Sequence, residues 1–148
     1  MLFRSRIGYD NVAGWLDGGM AAWEAAGGET AEVRQITPEE LRCLLDEPVP
    51  PAVLDVRTGA EWGAGHLTAA VHIPLPELTS RLSELPQASI AVICGSGYRS
   101  SIAASLLQRA GLNGRLVGHI VGGMTAWAEM DNAPRDAQQP TGGRCATP

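Results

Sequence analysis

Four short runs in this chain are apolar without alternation, and they limit the fold more than any other feature. They are "AVLDV" (52–56), "AVHI" (70–73), "IAVIC" (90–94) and "LVGHIV" (116–121). A strand with one wet face alternates apolar and polar side chains. Runs apolar on both faces read as parallel strands covered on both sides. Helical patterns lie between and beside them. In "ITPEELRCLLDEP", Thr37 is a cap, Pro38 takes the first helical position and Glu40 stands three residues after the cap. That is a capping box, opening a helix whose apolar side is Leu41, Leu44 and Leu45. Leu75, Leu78, Leu82 and Leu85 fit one face of a second helix. Ile102, Ala103, Leu106, Leu107 and Ala110 fit a third, which Gly111 stops. Strands alternating with such helices predict an α/β fold with a mostly parallel sheet.

The 148 residues leave room for one ordinary domain and some surplus. With 45% hydrophobic and 18% charged residues, the chain can bury a real core. A net charge of −5 without a basic stripe gives no reason to expect nucleic acid. The longest uncharged run, Trp62 to Pro76, holds two histidines and two prolines, so no membrane span is expected. Asp10 and Asp17 interrupt any signal-like segment. Cys43, Cys94 and Cys145 show no Cys-x-x-Cys spacing, which suggests neither a disulfide framework nor a zinc site. A reducing, cytoplasmic setting is the expectation, with no metal.

An internal repeat divides the chain. "VAGWLDGGMAAW" (12–23) aligns without gaps on "LVGHIVGGMTAW" (116–127), and six of its twelve positions are identical. Gly14, Gly18, Gly19, Met20, Ala22 and Trp23 match Gly118, Gly122, Gly123, Met124, Ala126 and Trp127. The second copy closes a domain; the first has no sheet of its own to close. The expected organisation is a remnant of a preceding unit over 1–30, comprising its final strand and helix. A linker follows over 31–35 and a complete domain over 36–130. Residues 131–148 lack periodicity and are rich in Pro and Gly, so a disordered tail is expected there.

The chemistry concentrates in "CGSGYRS" (94–100). Cys94 ends a strand, and ligands in α/β sheets bind outside the carboxyl ends of strands. Gly95, Ser96 and Gly97 can bend the chain so that backbone N–H groups face inward, and a helix begins near Arg99. Those donors and the positive helix end favour an anion, and they favour thiolate over thiol at Cys94. Arg99 adds a permanent charge that can form two parallel hydrogen bonds. A dinucleotide loop fits poorly, since Ser100 stands where its third glycine belongs and no acidic residue follows about 20 positions on. A Walker loop is excluded by the absence of Gly-Lys-[Ser/Thr].

These residues resemble the rhodanese-like sulfurtransferases. The resemblance covers roughly residues 36–130 and rests on "VLDVRTGAEWGAGHL" (53–67), "CGSGYRS" (94–100) and "VGGMTAW" (121–127). It implies a mainly parallel five-stranded sheet flanked by helices. It implies that Cys94 takes sulfur from thiosulfate or a persulfide and passes it to a thiol or cyanide. The covalent cysteine persulfide takes the place of a cofactor. Gly95, Ser96, Gly97, Tyr98, Arg99 and Ser100 would cradle the transferred group. Asp55, Arg57, Glu61 and His66 match family positions and are assigned to structural support. "GHLTAA" (65–70) departs from the family's usual turn. His72 and His119 are expected to be core or edge residues, Cys43 a buried and inert residue beside the leucine stripe of the first helix, and Cys145 a spare thiol.

Two rivals remain. Phosphatases of the same fold carry their arginine six residues after the cysteine, whereas Arg99 stands five after Cys94. A binding or sulfur-relay module that only docks a partner is the other. The first thirty residues resemble the end of the preceding rhodanese-like unit in fusions with a metallo-β-lactamase-fold domain. That resemblance implies an upstream domain of this kind as partner, which would itself carry the metal.

Overall fold

The computed structural model describes residues 13–132. Cys145, residues 1–12 of the expected remnant and 133–148 of the expected tail lie outside the described residues.

Five strands form the sheet: β1 (Gln35–Ile36), β2 (Ala52–Asp55), β3 (Val71–His72), β4 (Ile90–Ile93) and β5 (Leu116–Ile120). Their order is β1-β5-β4-β2-β3, and every neighbouring pair is parallel. The helices are α1 (Gly19–Ala25), α2 (Pro38–Leu45), α3 (Gly59–Gly63), α4 (Tyr98–Arg109) and α5 (Gly123–Asn132).

Neighbouring residues on the central strands go to opposite faces. Val53, Ala91 and Ile93 join one buried cluster with Ile36, Leu41 and Ile120, against which Leu44, Met124 and Trp127 pack. Leu54 and Val92 join the other, with Leu75, Leu78, Ala103, Ala104 and Leu107. This two-sided burial explains the unbroken apolar runs. Each fully buried aliphatic side chain contributes about 1.5–3 kcal/mol, so burial on the two faces adds to the strand ladders in holding the sheet together.

Local signals mostly hold. Thr37 accepts the Glu40 amide in the expected capping box, and Pro38 opens α2. Arg109 ends α4, and Gly111 beyond it has φ +82°. Three expectations need correction. The leucine run after residue 74 forms two 3₁₀ helices, Leu75–Ser80 and Leu82–Glu84, rather than one α-helix. Pro76 lies in its first turn, and Leu75 and Leu78 are buried at a spacing of three, the 3₁₀ period. The strand expected over 70–73 shrinks to the two residues of β3 at the sheet's edge. Residues 131 and 132, placed in the expected tail, belong to α5, which runs to Asn132. Two elements were not anticipated. Gln35, assigned to the linker, begins β1, and α3 is too short to show helical periodicity.

The repeat recurs in the backbone. Gly122 and Gly123 have φ of +70° and +55°; Gly18 and Gly19 have +74° and +61°. A Cβ on Gly122 would meet Ala126 Cβ at 2.5 Å, and one on Gly18 would meet Ala22 Cβ at 2.9 Å. Both pairs turn the chain into a helix through a left-handed conformation open to glycine. Residues 13–18, however, form no strand. A strand is held by its ladder, and no sheet edge pairs with this one.

Candidate active site

Cys94 directly follows β4, between the ends of β5 and β2. Gly97, at φ +93°, turns the chain into α4. Its N–H donates to Cys94 Sγ at 3.1 Å, and the Cys94 thiol donates to Ser100 Oγ at 3.5 Å. Ser100 Oγ donates in turn to the Gly97 carbonyl at 2.9 Å. Tyr98, Arg99 and Ser100 occupy the first turn of α4, where a helix has no acceptor of its own for their N–H groups, and no side chain caps that end. Partial positive charge therefore collects beside the sulfur.

The loop is clamped from outside by the closing motif. The Met124 N–H donates to the Cys94 carbonyl at 2.7 Å, and the Thr125 N–H and Oγ1 donate to the Gly95 carbonyl at 3.0 and 3.1 Å. Gly123 permits this approach, since a Cβ there would lie 2.3 Å from the Cys94 oxygen. Thus "GGMTAW" shapes the cysteine loop as well as starting α5.

Arg99 is engaged. Its two terminal nitrogens donate to Glu61 Oε2 and Oε1 at 2.7 and 2.6 Å. Thr58 donates to Glu61 Oε2 from its N–H at 3.1 Å and its hydroxyl at 2.7 Å. The Arg99 guanidinium, with help from Thr58, holds the Glu61 carboxyl at about 2 against a partial cost of burial. The same pair raises Arg99 above its ordinary value. The pair lies over Gly95, where a Cβ would sit 3.1 Å from Arg99 Nη2. A cleft of about 630 Å³ opens beside it, walled by Val56, Thr58, Glu61, Pro74, Glu77 and Arg99 among others. Cys94 does not line this cleft; the residue has no exposed surface. The sulfur lies at the sheet's carboxyl edge, but under cover.

The residues assigned to support divide into two groups. Asp55 and Arg57 form a buried pair: Arg57 Nε reaches both carboxylate oxygens at 3.0 and 2.9 Å, and Nη2 also bonds the Gly65 carbonyl at 2.7 Å. The exposed His66 stacks on Trp62 at 3.7 Å, and His72 stacks on Trp62 at 4.6 Å. His72 Nε2 lies 2.9 Å from the Arg57 carbonyl oxygen. These groups hold the β2–β3 end. Glu61 belongs instead with Arg99 at the loop. Ser96 and Tyr98 are exposed, whereas Gly97 and Ser100 are buried. Among the described residues, no group of three His, Cys, Asp or Glu side chains is placed to hold a metal.

One residue was undervalued by sequence reasoning. His119, on β5 in register with Val92, is 5% exposed, and its Nδ1 lies 3.4 Å from Ser100 Oγ. Burial pushes its imidazole below the ordinary value. Parallel pairing across 27 residues brings it behind the loop, and no local signal in "LVGHIV" marks that.

Together these features define a parallel α/β domain with a buried loop cysteine set beside the start of a helix. The Rhodanese-like domain family matches residues 37–130, and the chain belongs to that family. It is 34% identical over 98 residues to the candidate sulfur carrier protein YrkF of Bacillus subtilis, a match covering 66% of this chain and 52% of that one. It is 33% identical over 97 residues to a sulfurtransferase of Allochromatium vinosum, covering 65% and 89%. A rhodanese-related protein from Thermoplasma volcanium superposes with a TM-score of 0.59 at 31% identity, over 68% of this chain and 95% of that one. The chain therefore spans about half of the first relative and most of the other two.

Proposed function

We propose that this protein is a rhodanese-type sulfurtransferase that carries sulfane sulfur on Cys94. The Cys94 thiolate attacks the outer sulfur of thiosulfate or a low-molecular-weight persulfide. A new S–S bond forms, the donor's S–S bond breaks, and sulfite or thiolate leaves with the electron pair. An acceptor thiolate or cyanide then attacks the outer sulfur of the Cys94 persulfide and regenerates the thiolate. The donors are small, and no further oxidant or reductant is needed.

The observation that carries this reading is the Gly97 N–H directed at Cys94 Sγ, at the mouth of a helix that no side chain caps. Such donors stabilise negative charge as it moves between sulfurs. Because the sulfur is covered, the donor has to open the site, and an anion would compete with Glu61 for Arg99. Cys94→Ser should reduce transfer to background and abolish a persulfide adduct in the intact mass. Cys43→Ser and Cys145→Ser should retain both. Equal activity of all three variants would sink the reading.

A sulfur-relay or binding module is the second reading, favoured by the covered sulfur and by the kinship with YrkF. It is distinguished by one persulfide formed per chain without turnover to cyanide or thiol. We also propose a cytoplasmic, reducing setting; among the described residues no helix is long and apolar enough to cross a membrane. Residues 1–30 are read as the closing segment of another rhodanese-like unit, with a metallo-β-lactamase-fold domain as partner. The shared Gly-Gly turn supports the first part of that reading.

A further inference from the structure

Ser100 Oγ makes three contacts, and its bonding capacity decides how they are shared. A hydroxyl has one proton to give and two lone pairs to receive with. The proton goes to the Gly97 carbonyl at 2.9 Å, the shortest of the three contacts. One lone pair accepts the Cys94 thiol at 3.5 Å. The remaining contact, at 3.4 Å to His119 Nδ1, is a hydrogen bond only if the imidazole is the donor. His119 is buried, and burial disfavours its charged form, so a neutral ring with its proton on Nδ1 fits the site.

This arrangement changes when the sulfur loses its proton. Sγ then needs donors, and it already has the Gly97 N–H. The Ser100 hydroxyl can rotate from the Gly97 carbonyl to Sγ while its oxygen keeps the bond from His119. A donated N–H also polarises the hydroxyl and strengthens it as a donor. Glu61 and Arg99 belong to the opposite, outer side of the loop, over Gly95. Among the contacts described, His119 is the side chain that reaches Ser100 from the sheet.

We propose that His119 is a positioning residue for the Cys94 nucleophile: it donates from Nδ1 to Ser100 and so holds the serine hydroxyl ready for the ionised sulfur. The proposal rests on Cys94 as the nucleophile, but it names a residue outside the loop and a specific protonated atom. It forms and breaks no covalent bond and consumes no reagent.

The first test needs neither a variant nor activity. Nitrogen NMR of the wild-type protein at pH 7.5 should show His119 neutral with its proton on Nδ1; a proton on Nε2 overturns the proposal. The second compares variants. His119→Leu should slow alkylation of Cys94 by iodoacetamide, and kcat for thiosulfate-to-cyanide transfer, about fivefold, the size of one hydrogen bond. KM should stay within about twofold, since the donor does not touch the ring. His119→Asn keeps an N–H at a comparable reach and should restore both rates. In a Ser100→Ala background, His119→Leu should add no further loss. Wild-type rates in His119→Leu, failure of His119→Asn to restore them, or additive losses would each overturn it. Should His119→Leu fail to fold, the tautomer and His119→Asn decide. A protein without transfer activity but with the Nδ1 proton and slowed alkylation would refute the sulfurtransferase reading and leave this one standing.

Discussion

The two copies of the repeat take the same backbone turn and meet different fates. In the second, β5 and α5 are built into the domain: Ile120 is fully buried, His119 nearly so, and Met124 and Trp127 pack under the sheet. In the first, the matching Leu16, Trp15, Met20 and Trp23 are 50%, 89%, 60% and 44% exposed. Gly118 is required where it stands, because a Cβ would lie 2.7 Å from the Arg34 carbonyl; Gly14 has nothing within 4 Å. The same residue types therefore code for a turn in both places, but only the presence of a sheet turns that code into a strand and a core. Local sequence sets the bend; tertiary packing sets everything beyond it.

The sharpest way to break this comparison is to add one methyl to each copy. Gly123→Ala drives a Cβ into the Cys94 and Gly95 carbonyls and strains a positive φ. It should cost about 3 kcal/mol or more, combining the left-handed penalty with overpacking, and should disrupt the cysteine loop. Gly19→Ala meets open space at φ +61°. It carries the same left-handed penalty of about 1–2 kcal/mol but no clash, in a helix with no buried residue. It should therefore loosen α1 locally and leave the domain's denaturation midpoint and sulfur transfer nearly unchanged. Urea unfolding of both variants checks this, and equal losses would refute the asymmetry.

A smaller effect comes from the tryptophans. Trp127→Ala removes a ring packed on the core cluster and also approached by Arg42 at 5.5 Å. It should destabilise by about 2 kcal/mol, below the range for a fully buried tryptophan. Trp23→Ala should change the stability by less than about 0.5 kcal/mol. A Trp23→Ala loss as large as that of Trp127→Ala would mean that the first copy is docked.

The smallest effect is a pH dependence present in one copy only. Burial lowers the His119 pKa in the folded chain, so the unfolded chain binds more protons below the ordinary value of 6.5. The resulting stability is present above that value and is lost as pH falls below it. His119→Asn should flatten that slope in denaturant titrations between pH 7 and 5.5. Trp15, its counterpart, cannot titrate. Glu61 behaves differently, because its pairing persists until the pH drops from 4.5 toward about 2.

Much of the fold and site was legible because local chemistry specified it. The two-faced apolar runs name β2 and β4, Thr37 and Glu40 mark the start of α2, and Gly97 marks the turn before α4. What sequence reasoning missed depended on spacing in three dimensions. β1 is two residues long and exists through its pairing with β5. The leucines at 75 and 78 satisfy an α and a 3₁₀ period nearly equally until Pro76 is weighed. Arg99 was readable as a cation, but the carboxylate that occupies it lies 38 residues upstream. His119 reaches Ser100 through strand register alone.

The complete enclosure of Cys94 also bears on durability. Peroxide and other dissolved oxidants attack an ionised sulfur they can reach, driving it toward acids of sulfur that no thiol restores. Here Cys94 has no exposed surface, so on the proposed function a waiting thiolate or a loaded persulfide would be shielded between encounters. On the proposed function, a chain built this way would hold its cargo until a reactant able to open the loop arrived.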